Sequence, residues 1–201
     1  MRATGYSEPN ENRGSVKIAR AQYRAMPWKN GQGITHEIAR EPAAGESLLW
    51  RLSIAEVAAD GDFSLFPGVD RTISLIEGAG MALDFDEAPA KRIERTFQPF
   101  DFSGDWHCRC RLIDGPIRDF NLRVDRSRAK ANTSVLGPGQ APIEADIPDG
   151  RLLIYCGVGQ VSAGGFSAEA GDTLSLGSGR HRVEGNQATA LVMRLHMLRG
   201  R

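Results

Sequence analysis

The chain has 201 residues, 41% of them hydrophobic, and its 25 lysines and arginines equal its 25 aspartates and glutamates in number. This length suffices for one large β domain or two small ones. The balanced charge gives no electrostatic reason to expect nucleic acid or an anionic membrane surface as a partner, and no apolar run approaches the roughly 20 residues of a membrane span. Residues 1–15 lack the pattern of a signal peptide, and we expect them to form a mobile tail.

Short alternating apolar runs, met in chain order, predict β-strands. The run "WRLSIAEV" places Trp50, Leu52 and Ile54 on one face of a strand, with Arg51 and Ser53 on the other. Later runs of the same kind are "RTISLIEG", "MALDF", "DFNLRV", "RLLIY" and "TALVMRLHM", and turn signals such as "FPG" and "IDGP" separate them. One short helix is predicted over residues 126–133. The spacing predicts an all-β sandwich or barrel.

An internal repeat refines this prediction. Residues 75–83 and 154–162 each place Gly-x-Gly between two apolar strands, which we interpret as tight hairpins. The second copy is followed by a Gly-Asp turn, a strand and a Gly-rich turn before His181, an order that resembles the cupin pattern. The predicted fold is therefore a double-stranded β-helix, built as a bicupin of two stacked jelly-roll barrels. We expect the first barrel at residues 16–126, a connection at 127–148 and the second cupin half at 149–201.

The potential metal ligands are scattered along the chain. His36, His107, His181 and His196 are isolated, whereas a transition metal usually needs three or four converging ligands. We expect no metal and no cofactor, and structural roles for the histidines. The cysteines, at positions 108, 110 and 156, lack zinc-site spacing and are predicted to be buried, reduced core thiols, which favours the cytoplasm.

Polar residues recur at the ends of the strands in the first half. For any single strand the simplest explanation is a face turned to water. However, arginine, asparagine, aspartate and serine are the residue types that recognise small polar ligands, and an arginine can hold a carboxylate through two hydrogen bonds. Periodicity leaves open which of Arg51 and Arg71 faces the barrel interior. The candidate ligand-binding residues are Trp28, Lys29, Asn30, Thr35, Glu37, Arg51, Ser53, Arg71, Asp119 and Asn121.

Three long motifs, "MPWKNGQGITHEIAR", "WRLSIAEVAADGDFSLFPGVDRTISLIEGAG" and "CRLIDGPIRDFNLRVDR", together resemble the HutD/Ves family. The resemblance implies a metal-lacking bicupin linked to bacterial histidine utilisation, and a homodimer. It also implies a first-barrel pocket for a small carboxylate of that pathway, such as urocanate, formylglutamate or formate. This chain departs from the family pattern at Gln32, usually glycine, and at Arg123, often methionine. Arg123 alternates onto the face of Asp119 and Asn121, so we expect it to alter the pocket charge.

Three functions remain open at this point. The first is a carboxylate-binding accessory protein that senses or limits flux in histidine degradation, with Glu37 and Asp119 orienting the arginines. The second is a metal-free isomerase or hydrolase in which Glu37 or Asp119 acts as general acid or base. The third is an interaction module without a small-molecule ligand. We expect the protein not to be an enzyme.

Overall fold

The computed structural model describes residues 14–28, 31, 33–42 and 48–198. These residues form seventeen β-strands and one short 3-10 helix, Arg20–Gln22. The strands that begin before residue 90 are β1 (Val16–Ile18), β2 (Arg24–Pro27), β3 (Gly33–Pro42), β4 (Leu48–Val57), β5 (Gly61–Phe63), β6 (Val69–Glu77) and β7 (Met81–Phe85). Those that follow are β8 (Lys91–Ile93), β9 (Phe100–Ser103), β10 (Cys108–Leu112), β11 (Ile117–Asp125), β12 (Ala129–Leu136), β13 (Ile143–Ile147), β14 (Gly150–Ala163), β15 (Phe166–Glu169), β16 (Thr173–Leu176) and β17 (Gly179–Met197).

The strands form three antiparallel sheets. A six-stranded sheet has the order β2-β3-β4-β11-β6-β9, and a four-stranded sheet has the order β5-β10-β7-β8. The two enclose a core that includes Ile73 and Leu75 on one side and Met81 and Leu83 on the other, which makes the first barrel. The seven-stranded sheet, built on β1-β16-β14-β17-β12, folds around its own apolar core as the second barrel. The predicted all-β bicupin fold is confirmed.

A third apolar cluster joins the barrels back to back. The outward face of the six-stranded sheet presents Trp50, Leu52 and Ile54, and these side chains pack with Leu153 and Leu191 of the seven-stranded sheet. Both sides of the six-stranded sheet are thus covered, one by this seam and the other by the barrel interior. The alternation read from "WRLSIAEV" therefore separates the seam from the interior of the first barrel.

The seam makes a measurable contribution to stability. Leu153 has no exposed surface and packs in the seam cluster, so Leu153→Ala is expected to lower the free energy of unfolding by about 3 kcal/mol through lost burial and a residual cavity. The matched control is Leu65→Ala, because Leu65 is 42% exposed. Urea titration measures both variants. Equal, small losses would mean that the seam does not hold the barrels together.

The two Gly-x-Gly copies do not form the predicted tight hairpins, so the hairpin interpretation is wrong. β6 and β7 flank the first copy but belong to different sheets, and both Gly78 and Gly80 have positive φ at the corner between them. The second copy lies within the continuous strand β14, where the register with β17 shifts between Cys156 and Gln160. Both copies therefore turn the chain from one part of a barrel to another.

The other predictions have mixed outcomes. All three cysteines are free and buried, as predicted. The helix predicted over residues 126–133 is wrong, since β12 begins at Ala129 and pairs with β17. β12 and β13 both lie in the predicted connection, and β1 pairs with β16, so the predicted boundaries remain a prediction. The expected tail lies outside the described residues except for Gly14 and Ser15. Within the described residues, no helix is long and apolar enough to cross a membrane.

Candidate functional site

A cavity of about 430 Å³ opens into the first barrel, between the six-stranded sheet and the strand β5 with the loop that follows it. This volume is within the range typical of small-molecule sites. Seven of the ten candidate ligand-binding residues line it: Trp28, Thr35, Arg51, Ser53, Arg71, Asp119 and Asn121. Glu37 contacts the side chain of Arg51, and Lys29 and Asn30 lie outside the described residues. Both arginines left open by the sequence thus reach the same cavity.

The strand register explains why these residues converge. On β11, Asp119, Asn121 and Arg123 alternate onto the cavity side while Phe120 and Leu122 enter the seam. Opposite Asn121 on β4 is Ser53. The sequence alternation therefore predicted the facing of these residues correctly.

Three arginines form a row across adjacent strands at one level of the cavity. Arg123 on β11 pairs with Arg51 on β4 and with Arg71 on β6, and all three side chains line the cavity. We call Arg51, Arg123 and Arg71 the arginine row. Like charges directly opposite one another destabilise a sheet. An anion bound between the arginines would relieve this repulsion, so the row favours anion binding.

Arg71 is the most deeply placed member of the row. It is 7% exposed, and its guanidinium lies 4.7 Å from the ring centre of Phe102, with Phe63 and Phe66 also in contact. One terminal nitrogen donates to Asn121 Oδ1 over 3.2 Å, while the buried Nε has no hydrogen-bond partner among the described residues. Burial lowers the pKa of Arg71, and the charge of Asp119 acts in the opposite direction.

Asp119 is the buried acid of the site. It is 1% exposed, its Oδ1 accepts a hydrogen bond from Asn121 Nδ2, and its buried Oδ2 has no partner in the described part of the chain. Burial raises the pKa of Asp119 to about 7, although the charge of Arg71 and the bond from Asn121 favour ionisation. The expected pairing with Arg71 is therefore relayed through Asn121.

The remaining two arginines differ in their partners. Arg51 Nε donates to Glu37 Oε2 over 2.6 Å, which is the orienting role expected of Glu37. Arg123 instead lies over the Phe66 ring, 4.1 Å from its centre. Burial, together with the charges of Arg51 and Arg71, lowers the pKa of Arg123 to about 10.

The cavity also has a fixed aromatic wall. Trp28 Nε1 donates to Thr35 Oγ1 over 2.8 Å, so the indole is held against β3. A side chain at Gly33 would collide with the carbonyl oxygen of Glu56 and press on the Trp28 ring, which explains the glycine at this position. The turn that carries Lys29, Asn30 and Gln32 lies outside the described residues apart from Gly31.

Sequence reasoning missed part of the lining. The missed residues are Phe63, Phe66 and Asp62, which border the cavity from β5 and the loop after it. Arg123 was expected on the face of Asp119 and Asn121, and it lines the cavity with them. The only sequence signal for the aromatic residues was their position beside the "FPG" turn, and this position does not predict which way their side chains point. Asp70, next to Arg71, faces outward and pairs with Arg126 over 2.9 Å.

In the described part of the chain, no group of three or more histidine, cysteine, aspartate or glutamate side chains is arranged to hold a metal ion. His181 is buried, and its Nε2 donates to the Gly177 carbonyl over 2.8 Å, a structural role. His36 Nε2 lies 2.9 Å from Glu56 Oε1. The polar groups that can hold a ligand in the first barrel are therefore guanidinium, amide, hydroxyl and carboxyl groups.

The two barrels and the arginine-lined cavity define the class of the protein: a bicupin with a polar pocket in its first barrel. A sequence profile of the HutD family matches residues 20–193. The chain belongs to the HutD family.

Known relatives agree with this assignment. The structure of HutD from Pseudomonas fluorescens SBW25, obtained in a formate condition, superposes with a TM-score of 0.82 at 34% identity, and covers 93% of this chain and 100% of that one. An uncharacterised 21.2 kDa protein from the region 3′ of hutC in Pseudomonas putida is 43% identical over 118 residues, 58% of this chain and 62% of the relative. Protein Ves of Citrobacter koseri is 42% identical over 116 residues, 56% of this chain and 60% of the relative. Both sequence matches thus span less than two thirds of the relatives' length.

Proposed function

We propose that this protein is an accessory protein of histidine degradation that binds a small carboxylate in the first barrel and thereby senses or limits flux. The observation that carries the proposal is the arginine row, in which only Arg51 contacts a carboxylate among the described residues. Guanidinium groups in a partly dry cavity recognise carboxylates strongly, because their hydrogen bonds are charge-assisted and weakly screened.

Two further observations support a carboxylate over other polar ligands. The cavity wall combines donors with flat apolar surface from Trp28, Phe63 and Phe66, which suits a small organic anion better than a hydrated inorganic ion. The Pseudomonas fluorescens relative was studied in a formate condition, and the Pseudomonas putida relative lies beside hutC. The first ligands to test are urocanate, formylglutamate and formate, the carboxylates that the resemblance to the HutD/Ves family implies. The expected homodimer and cytoplasmic location belong to the same proposal.

A thermal-shift panel tests the proposal. At a hundred times its dissociation constant, a ligand is expected to stabilise the protein by about 2.7 kcal/mol, on the order of 5 to 10 °C for a domain of this size. Parallel samples with chelator separate direct binding from metal-mediated binding, since only the second is lost. A panel in which no carboxylate raises the melting temperature would contradict the proposal and favour a role through a protein partner.

Asp119 favours a second candidate function, a metal-free isomerase or hydrolase. A buried carboxyl with one unpartnered oxygen and a pKa of about 7 has the properties of a general acid or base. Glu37 is less suited to this role because its carboxylate is held by Arg51. The same panel separates the two functions when stabilising ligands are recovered and examined by NMR, since an accessory protein returns them unchanged.

A further inference from the structure

We infer that the pocket is built for a short dianion, with Arg71 holding one anionic group and Arg123 the other; the inference rests on the proposed function. The ligand class is then a dicarboxylate or a similar molecule with two acidic groups a few bonds apart. A monocarboxylate would occupy only part of the site.

The first step is the charge count at the arginine row. Arg51 has its own counter-charge, since Glu37 Oε2 lies 2.6 Å from its Nε. Neither Arg71 nor Arg123 makes an ion pair with a carboxylate among the described residues, and both lie largely out of water. A buried or half-buried cation without a partner is costly. Two of them leave a need for two negative charges.

Among the described residues, Asp119 is the carboxyl of the cavity wall whose charge acts on Arg71, so it could meet part of this need from within the protein. Its contact with Arg71 runs through Asn121, whose amide donates to Asp119 and whose carbonyl oxygen accepts from Arg71. The Asp119 carboxyl is buried, and burial disfavours its ionised form. It therefore compensates Arg71 only in part. Arg123 makes no ion pair among the described residues, and the charge of Glu37, which is paired with Arg51, acts on it only from a distance.

The second step is the spacing of the two unpaired cations. Both guanidiniums rest on one ring, since Arg123 lies 4.1 Å and Arg71 5.5 Å from the centre of Phe66. Their backbone positions are direct cross-strand partners, which places the Cα atoms about 5 Å apart. The two sites differ in depth, because Arg71 is 7% exposed and Arg123 is only half-buried. A ligand would place one acidic group deep in the barrel and the second nearer the mouth.

The ring of Phe66 also fixes both cations in place. A guanidinium over an aromatic face is attracted to it and loses side-chain freedom before the ligand arrives. Phe63 and Phe102 do the same for Arg71 from other sides. The two anion sites are thus preorganised relative to each other, which favours a ligand whose two groups have matching separation.

The test compares glutarate with glutaramate, in which a neutral amide of nearly the same shape replaces one carboxylate. Wild-type protein is expected to bind glutarate about tenfold or more tightly, as measured by titration calorimetry. Arg123→Met, which keeps a side chain of similar length without charge, is expected to lose that preference, so that the ratio of the two dissociation constants falls to about one. Arg123→Lys is expected to keep part of the preference, and Arg180→Met, at an exposed site of the second barrel, all of it.

The outcomes separate the inference from the function on which it rests. Equal binding of both compounds to the wild-type protein overturns the dianion, and this comparison needs no variant to fold. A preference that survives in Arg123→Met also overturns it. In either case, binding of both compounds leaves the carboxylate pocket intact. If neither compound binds and no ligand of the thermal-shift panel stabilises the protein, both the inference and the proposed function are wrong.

Discussion

Arg71→Met is expected to bind glutarate at least ~30-fold more weakly than the wild-type protein while keeping most of its free energy of unfolding. Removing one partner of a desolvated, hydrogen-bonded charge pair costs about 2–5 kcal/mol of binding free energy. The folded protein loses little at about pH 6, where Asp119 is mostly protonated and needs no counter-charge. The guanidinium is buried among Phe63, Phe66 and Phe102 and has no carboxylate in direct contact among the described residues. Replacing such a buried charge with an apolar side chain of similar length is often neutral or stabilising.

Two measurements are needed on the same variant. Titration calorimetry gives the affinity, and urea unfolding gives the stability. Arg180→Met serves as the control, because its side chain is 88% exposed in the second barrel and far in sequence from the cavity residues. A structural role for Arg71 gives the opposite pattern, with a large loss of stability and an unchanged dissociation constant for the fraction that remains folded. The pattern of the two measurements, rather than either value alone, identifies the function of Arg71.

Much of the fold was predictable because the period of two in a β-strand directly records which side chains face the core. In β4 and β11, odd and even positions separate the seam residues Leu52 and Phe120 from the cavity residues Ser53 and Asn121. Sheets covered on both sides usually give continuous apolar runs. Here one face of the sheet lines the polar cavity, so polar and apolar residues alternate along the strands. This alternation predicted both the strands and the candidate site.

The errors have a local physical origin. Residues 126–133 contain good helix formers such as Arg128, Ala129 and Ala131, but intrinsic helix propensity is weak and β17 supplies a partner strand. The repeated glycines indicated where the chain bends, yet glycine permits a corner or a bulge as readily as a hairpin. Which of these forms depends on contacts between strands far apart in sequence.

The sequence predicted the strand residues of the candidate site but not its loop residues. Strand positions such as Arg51 and Asn121 have a direction fixed by alternation, and the structure brings them together in one cavity. Phe66 lies in the loop after β5, where no periodicity sets the side-chain direction. The contact between Phe66 and two arginines is therefore a result of tertiary structure. Arg123 was noticed for its charge, but its place in a row with Arg51 and Arg71 required the strand register.

Asp119→Asn is expected to change how stability depends on pH. Burial raises the pKa of Asp119 from an ordinary value of 3.8 to about 7 in the folded protein. Below pH 4 the carboxyl is protonated in both the folded and the unfolded chain, so its favourable contribution is fully present. Between about pH 4 and pH 7 the unfolded chain gives up the proton first, and that contribution is lost, by about 4 kcal/mol for a shift of about three pKa units.

Asparagine has no such proton, so the stability of Asp119→Asn relative to wild type is expected to rise by about 4 kcal/mol between pH 4 and pH 8. Urea unfolding at a series of pH values measures the difference. Asp146→Asn, at an exposed position, controls for the removal of a carboxylate as such. Two ionisable neighbours of Asp119 titrate above this window, since the pKa of Cys110 is raised to about 12 and that of Arg123 lies at about 10. If the stability difference between Asp119→Asn and the wild-type protein stays constant with pH, then the pKa of Asp119 is not raised in the folded protein and the prediction is wrong.

The same proton connects stability to binding. An anion placed beside Arg71 disfavours the ionised form of Asp119, so carboxylate binding is expected to take up a proton above pH 7. The affinity for glutarate should then fall by up to about tenfold per pH unit above pH 7 in the wild-type protein, because the proton must be supplied from solution. Asp119→Asn is expected to remove that slope, as measured by titration calorimetry at several pH values. A slope that persists in the variant would assign the proton to another group; its loss would mean that the buried acid sets the pH range in which the pocket holds its ligand.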